Sequence, residues 1–181
     1  PLTKAFTTEL ANKVAYDCIQ VHGGTGYMRD FPAERLYRDA RITNIYEGTT
    51  QLQYVAAIGG VIQRTLDPLM DELSHLPYEG KLRRLASAVD VARQKVQRAA
   101  HYVDDMDDSE YFSLMAGRLC QMEMFTFSAY LLLRDALKDK DREPAAEHFV
   151  ADTLPLVHQH FDIVTSGDLS LIDDHEDILA L

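Results

Sequence analysis

The feature that most constrains the fold is a long run of apolar residues at helical spacing between Leu82 and Val103. Apolar residues recur there every three or four positions, which places them on one side of an α-helix. Residues 111–136 and 146–164 have the same spacing, with Pro155 predicted to kink the last helix. Trp is absent, Gly and Pro are sparse, and no β-branched run alternates with polar residues. The sequence therefore predicts an all-α chain whose second half is a helical bundle.

The first part of the chain also reads as helices separated by glycine. Residues 3–21 form one predicted helix, ending at Gly23-Gly24, and a Gly-rich loop follows at 22–31. Pro32 is suited to the start of the next helix, which breaks at Glu47-Gly48. A further helix is predicted over 50–66, with Thr50 and Gln53 at the spacing of a capping box. In the first helix the apolar stripe consists of Phe6, Leu10, Ala11, Val14, Ala15, Cys18 and Val21.

Turn residues and charge divide the chain into three segments. Pro68, Pro77 and Gly80 make 65–80 a linker or corner between a first segment, 1–64, and a second helical domain, 81–181. Residues 1–64 carry 7 Lys+Arg against 6 Asp+Glu, giving +1, whereas residues 65–181 carry 11 against 23, giving −12. The acidic half argues against nucleic acid and against an anionic membrane surface as partners. Its densest acidic cluster, 104–108, is interpreted as a solvated loop or helix end.

Cysteine and histidine usage gives no sign of a disulfide framework or a metal site. Cys18 and Cys120 both lie on apolar helical faces, which is typical of buried free thiols and of a reducing compartment. The seven His residues form no recognisable ligand set, because His158 and His160 are two residues apart and point in different directions on a helix. We therefore expect no metal. A shorter helix is predicted at about 169–180.

Two short stretches could carry chemistry. Glu47 lies just before a predicted helix N-terminus, and Ile45, Tyr46 and Leu52 could line an apolar slot around it. Burial would raise the pKa of this carboxyl group and the helix dipole would lower it, and a carboxylate held between these two effects is suited to act as a general base. Glu near a helix start is also an ordinary capping device. The second stretch is the Gly-rich loop, which could wrap an anion or simply cap a helix. It follows a helix and lacks the G-x-G-x-x-G spacing, which disfavours a dinucleotide-binding fold.

Three blocks in this region resemble the C-terminal signature of the acyl-CoA dehydrogenases over residues 1–62. The blocks are Gln-Val-His-Gly-Gly-Thr-Gly-Tyr at 20–27, Glu-Arg-Leu-Tyr-Arg-Asp-Ala-Arg at 34–41 and Ile-Tyr-Glu-Gly-Thr at 45–49. The resemblance implies that Glu47 is the catalytic base that removes the α-proton of an acyl-CoA, while hydride leaves the β-carbon for FAD. It also implies substrate contacts from Gly48 and Tyr46. The FAD-contacting positions that it implies are Gln20, Val21, His22, Gly23, Gly24, Thr49 and Gln51, the first five of them on FAD held mainly by a neighbouring subunit.

The resemblance further implies what the parent protein would be. We expect residues 1–64 to end the helical bundle of such an enzyme, and residues 81–181 to be a helical extension similar to that of very-long-chain-type members with Glu in this loop. The expected product is a trans-2-enoyl-CoA, the electron acceptor is electron-transfer flavoprotein, and the enzyme is a homo-oligomer of the bacterial cytoplasm or mitochondrial matrix. Without the flavin-binding domain, the chain alone is expected to be inactive. Gly59-Gly60 departs from relatives that carry Arg there. The alternatives are a non-catalytic helical assembly module and an acyl-CoA oxidase.

Overall fold

The computed structural model describes residues 1–180 as helices joined by short loops, with no strand among them, which confirms the predicted all-α class. The chain divides into two compact units, residues 1–57 and 58–181. The first unit contains α1 (Leu2–His22), α2 (Gly24–Tyr27) and α3 (Ala33–Ile42). The unit boundary falls inside α4 (Thr50–Ile62). The division is thus earlier than the predicted segment boundary at 64.

In the first unit, α1 packs against both α2 and α3. The Asn12 side chain in α1 donates to its own helix at Thr8 O (2.9 Å) and across to Ala40 O at the end of α3 (3.0 Å). The short helix α2 folds back so tightly that a Cβ on Gly26 would lie 2.6 Å from the Cβ of His22. Only glycine allows this approach. The glycines of the 22–31 segment therefore form a compact turn of helix, where an open loop was predicted.

The apolar stripe predicted for α1 is largely uncovered within this chain. Of its members only Ala15 is buried, whereas Leu10, Val14 and Val21 are 53%, 59% and 85% exposed. Cys18 is a free thiol and is only partly buried, contrary to expectation. The predicted helix is present, but an apolar stripe on a helix forms part of a core only where another helix packs against it. Here α3 covers one side of α1 alone.

The second unit is built on three long helices, α6 (Gly80–Asp105), α7 (Ser109–Lys138) and α8 (Glu143–Val164), each packed against the other two. A short 3₁₀ helix, η1 (Lys140–Arg142), joins α7 to α8. The three predicted stripes meet in the core, whose largest fully buried side chains include Tyr111, Leu119, Met122 and Leu133. The helical bundle predicted for this half is therefore present. Although Pro155 lies inside α8, the helix continues past it as one element.

The segment predicted as a linker holds a helix of its own, α5 (Asp67–Ser74), which packs against α7. Pro68 lies in the first turn of α5, where its missing N–H is no loss, so this proline starts a helix rather than breaking one. Met70 and Leu73 of α5 are buried. A helix that contributes to the core explains why the observed division is not at 65–80.

The end of α4 comes at Ile62, four residues before the predicted end. The N–H of Thr65 bonds to Gly60 O (3.0 Å) and the N–H of Arg64 to Val61 O (2.9 Å), with Arg64 in the left-handed region at φ 58°. This pair of bonds is a Schellman motif, here formed without glycine. Within residues 1–180, no atom lies within 4 Å of the place that a Cβ of Gly59 would take.

An ionic cluster whose centre is buried and whose edge, at Arg64 and Asp71, is exposed lies where α5, α6 and α7 meet. The Arg93 guanidinium, 11% exposed, pairs with Asp67 (3.3 Å) and Asp71 (2.7 Å), while Gln97 and Arg64 also donate to Asp67. The Glu123 carboxyl on α7 lies near this cluster and is only 3% exposed. Burial raises its pKa to about 7; the charge of Asp67 adds to this effect and that of Arg93 opposes it.

The ends of the second unit are defined by loops. The acidic cluster at 104–108 is the exposed turn between α6 and α7, as predicted, and its last member, Asp108, accepts from the N–H groups of Glu110 and Tyr111 as the N-cap of α7. The helix expected at 169–180 is two short helices, α9 (Ser170–Asp173) and α10 (His175–Leu179).

Among residues 1–180, no helix combines the length and apolar character needed to cross a membrane.

Candidate active site

The loop between α3 and α4 presents Glu47 at its tip in an unusual backbone conformation. Glu47 has φ 52° and Gly48 has φ 93°, so two consecutive residues are left-handed. A left-handed conformation is strained for a residue with a side chain and persists where the surroundings hold it. A Cβ at position 48 would lie 2.8 Å from the Gln53 amide nitrogen, which is the movable end of a side chain. The positive φ, rather than space, is therefore what favours glycine after the carboxylate.

Three consecutive carbonyls at this tip each accept a side-chain hydrogen bond. The Lys4 ammonium in α1 donates to Tyr46 O (3.0 Å) and to Gly48 O (2.8 Å). The Gln53 amide in α4 donates to Glu47 O (2.7 Å). The Lys4 nitrogen also lies 5.5 Å from the centre of the Tyr46 ring, within range of a cation–π contact. The backbone on both sides of Glu47 is thus fixed by side chains from two helices.

The two stems of the loop are joined through Glu9 of α1. One oxygen of its carboxylate accepts from the Asn44 amide (2.9 Å) and from the Thr50 hydroxyl (2.8 Å). Backbone pairing between Thr50 N and Asn44 O (3.2 Å) closes the same loop. The predicted start of a helix at Thr50 is confirmed. The Thr50 hydroxyl donates to Glu9 and the Gln53 amide donates to Glu47 O, whereas in a capping box these side chains would bond to backbone N–H groups of the first turn.

The Glu47 side chain is exposed, and so are the residues expected to enclose it. Ile45, Tyr46 and Leu52 are all exposed, between 45% and 62%. The predicted apolar slot is therefore not formed by this chain alone. An apolar slot needs walls on several sides, and one loop with the first turn of one helix provides a single wall.

The second predicted block lies at the far end of α1 from this loop. Lys4 and Glu9, which contact the loop, are near the N-terminus of α1, and Gln20 is 11 to 16 residues further along, roughly 20 Å at 1.5 Å per residue. Gln20, Val21, His22, Gly23 and Gly24 are all exposed. Nothing lies within 4 Å of where a Cβ of Gly23 or Gly24 would be, so the backbone here is open to close approach.

The structure thus groups the predicted residues into two places. Tyr46, Glu47, Gly48, Thr49 and Gln51 lie together at the loop and the first turn of α4, with Thr49 and Gln51 exposed. The five residues at 20–24 lie apart from them. Sequence reasoning missed Lys4, Glu9, Asn44 and the role of Gln53. Lys4 and Glu9 contact residues 35 to 44 positions away, and nothing in the local pattern of α1 indicates that they do so.

Comparison of the sequence with known protein families gives a match over the region that contains these blocks. Residues 1–59 match the family model described as "Acyl-CoA dehydrogenase, C-terminal domain". An acyl-CoA dehydrogenase of Bacillus subtilis (strain 168) is 52% identical over 52 residues, covering 29% of this chain and 14% of that protein. The caffeyl-CoA reductase–Etf complex subunit CarC of Acetobacterium woodii is 36% identical over 63 residues, covering 35% and 17%. These matches support the acyl-CoA dehydrogenase family for the first third of the chain.

The chain is also similar in fold to a solved structure, over almost its whole length. An acyl-CoA dehydrogenase of Bacillus anthracis, solved in complex with FAD, superposes with a TM-score of 0.75 at 16% identity. That alignment covers 99% of this chain and 34% of the other. The arrangement of helices in both units therefore occurs in a solved protein of this name. By contrast, the sequence matches span only 14% and 17% of the length of the two curated relatives named above.

Proposed function

We propose that this chain is the C-terminal part of a flavin-dependent acyl-CoA dehydrogenase in which Glu47 is the catalytic base. The observation that carries the proposal is the Glu47 loop: an exposed carboxylate on a backbone that Lys4 and Gln53 hold fixed, within the segment that matches the family model. A base works best when it is held within reach of the proton that it abstracts. The loop provides such a fixed carboxylate and leaves it accessible.

The loop also offers a donor for the charge that develops on the substrate. Within residues 1–180, the N–H of Glu47 donates to no backbone carbonyl, while the N–H groups of Ile45 and Tyr46 both bond to Ile42 O. Removing the α-proton of an acyl-CoA thioester pushes negative charge onto its carbonyl oxygen. A backbone N–H beside the base can stabilise that charge. Glu47 would then act twice, accepting the proton with its carboxylate and polarising the carbonyl with its N–H, while Tyr46 and Gly48 border the substrate.

The residues assigned to FAD fit a flat ligand that approaches the backbone closely. At 20–24 the glycine pair is open, and the neighbouring side chains of Gln20, Val21 and His22 are exposed. Thr49 and Gln51 are exposed beside Glu47 at the other place. When bound, FAD supplies a hydride acceptor for the β-carbon. Because the two groups lie at opposite ends of α1, they suit contacts with flavins held in neighbouring subunits of a homo-oligomer. Electron-transfer flavoprotein is the proposed acceptor, in a bacterial cytoplasm or a mitochondrial matrix.

The test is the replacement of Glu47 by Gln in the flavin-loaded full-length protein. We expect FAD to remain bound and anaerobic bleaching of the flavin by an acyl-CoA to slow by about 10²–10⁴-fold, the usual contribution of a general base. Glu176→Gln, in the exposed helix α10, is the matched control and should bleach at the wild-type rate. Bleaching of the Glu47→Gln variant at a rate near wild type would remove Glu47 from the mechanism. Rapid reoxidation of the reduced flavin by oxygen would favour an oxidase instead.

A further inference from the structure

We infer that Lys4 is a positioning residue for Glu47, an inference that rests on the proposed function. Its ammonium donates to the carbonyl of Tyr46, just before Glu47, and to the carbonyl of Gly48 itself. Four backbone dihedrals lie between these two carbonyls, the φ and ψ of Glu47 and of Gly48. One cation that binds both carbonyls therefore limits the combinations that these four dihedrals can take, and it stabilises the observed left-handed pair.

The other contacts of the loop cannot replace this one. Gln53 binds the carbonyl of Glu47 itself, and Glu9 binds the stems at Asn44 and Thr50. Glu9 closes the loop at its stems, but neither contact joins the carbonyls of Tyr46 and Gly48 on the two sides of the left-handed pair. Lys4 does so from α1, a helix of 21 residues, so the anchor is part of a rigid element rather than of the loop. A lysine suits this task, because its ammonium has three donors on a compact charge and can serve two carbonyls at once.

The geometry has a consequence for catalysis. With the bridge in place, the Cα–Cβ bond of Glu47 leaves the backbone in one direction, set by the left-handed φ of 52°. Without it, Glu47 can relax to the ordinary right-handed or extended regions, which turns the side chain away from its place at the tip. The carboxylate would still be present and ionisable, but it would be misplaced. Lys4 would thus affect the proton-transfer step far more than the binding of acyl-CoA.

The chain offers a closely matched control in Lys13. Lys13 is also in α1 and also lies over a tyrosine ring, 5.7 Å from the centre of Tyr16, but its ammonium pairs with Asp17 (2.6 Å) on its own helix instead of with the loop. Comparing Lys4→Met with Lys13→Met therefore removes one α1 lysine in each case. Only the first change removes the bridge. Lys4→Arg is the rescue variant, since a guanidinium can also donate to two carbonyls.

The experiment has two readouts. In the flavin-loaded full-length protein, Lys4→Met should slow bleaching at saturating acyl-CoA by about 10²-fold, the size expected for misplacement by about 1 Å, with little change in the dissociation constant for acyl-CoA. Lys13→Met should match the wild type, and Lys4→Arg should recover part of the rate. In the 181-residue chain, nuclear magnetic resonance should show that the Glu47 and Gly48 backbone signals leave the left-handed range in Lys4→Met alone.

The outcomes separate this inference from the proposed function. If Glu47→Gln bleaches normally, the proposed base is wrong, whatever Lys4 does. If Glu47→Gln is impaired while Lys4→Met and Lys13→Met both bleach like wild type, Glu47 stands as the base and the positioning role of Lys4 is refuted. Slow bleaching of Lys4→Met with unmoved Glu47 and Gly48 signals would refute it as well, because the effect would then not pass through the loop.

Discussion

Residues 1–57 contain thirteen of the nineteen large hydrophobic side chains that are exposed in residues 1–180, although they make up less than a third of the chain. Their buried hydrophobic residues are four: Ala5, Ala15, Ala33 and Tyr54. Every other buried hydrophobic residue lies between Ile58 and Val164. Both units are mainly helical, so the difference lies in what covers the helices. The first unit leaves its apolar helix faces exposed in this chain, whereas the second unit buries its apolar faces between its own helices.

The catalytic carboxylate proposed for this protein belongs to the unit with the weaker core. Large exposed apolar patches mark surfaces that other protein surfaces cover. The open groove of about 650 Å³ lined by Ile19, Tyr37, Ile42 and their neighbours is part of that surface. The contrast indicates that polar contacts such as those of Lys4 and Glu9, rather than a core, define the local geometry of the Glu47 loop in this chain.

The strongest test of the contrast is to separate the units. We expect a fragment of residues 58–181 to unfold cooperatively as a helical protein, because α5 to α8 bury their apolar faces within it. A fragment of residues 1–57 should show low helicity and no cooperative transition, since it buries too little apolar surface to offset the entropy of ordering. Thermal melts by circular dichroism measure both. A cooperative melt of 1–57 would break the contrast.

Matched leucine substitutions sharpen the same contrast in the intact chain. Leu119 in α7 is fully buried, and replacing it with Ala should lower the free energy of unfolding by about 2–5 kcal/mol through lost contacts and a cavity. Leu10 in α1 is exposed, so Leu10→Ala should change stability by less than about 0.5 kcal/mol. Urea denaturation of each variant gives the two values. A loss at Leu10 comparable to that at Leu119 would mean that the face of α1 is already covered.

The buried carboxyl of the second unit predicts a particular dependence on pH. Because the pKa of Glu123 is raised from 4.5 to about 7 in the folded chain, its stabilising contribution is complete below pH 4.5 and is lost as pH rises through 7. The total loss is about 3 kcal/mol. Glu123→Gln cannot ionise, so the difference in unfolding free energy between variant and wild type should grow by that amount from pH 4.5 to 8. Parallel stability curves for the two proteins would contradict the raised pKa.

The smallest expected effect concerns helix caps. Asp108 caps α7 through two N–H groups, at 2.8 and 2.9 Å, whereas α1 begins at Pro1 without a side-chain cap. Asp108→Ala should therefore destabilise the second unit by about 1 kcal/mol. The exposed neighbour Ser109, replaced by Ala, is the control and should have a smaller effect. Equal losses in the two variants, measured by urea denaturation, would show that the cap contributes nothing.

Much of the fold could be predicted from the sequence, because helical spacing and turn residues act locally. The long helices, the break at Glu47-Gly48 and the start of α4 all follow from neighbouring residues. Burial could not be predicted in the same way, as Leu10 and Leu119 show. Both lie on apolar stripes, and only the helices packed against each stripe decide which is covered. The helix α5 was missed because Pro68 was interpreted as a break, although a proline in a first turn is compatible with a helix.

The sequence predicted the reactive group of the candidate site, Glu47, but not the side-chain contacts that hold its backbone in place. Glu47 and Gly48 stand together in the sequence, and the glycine indicates a special backbone conformation. The left-handed φ of Glu47 itself has no local signal, since Glu has no preference for that region. The Lys4 bridge spans 42 and 44 residues, so it depends on how α1 lies against the loop. Contacts of that kind become visible only when the helices are assembled.

The contrast between the units is tested most directly by hydrogen exchange of backbone amides in the intact chain, followed by mass spectrometry of its peptides. Peptides from α6, α7 and α8 should exchange through a costly opening of the bundle, and those from α1 and α3 about 10²-fold faster or more. In the flavin-loaded full-length protein that we propose, the peptides of α1 and α3 should become protected, because their apolar faces would then be covered. Equal protection of α1 and α7 in the isolated chain would contradict the account.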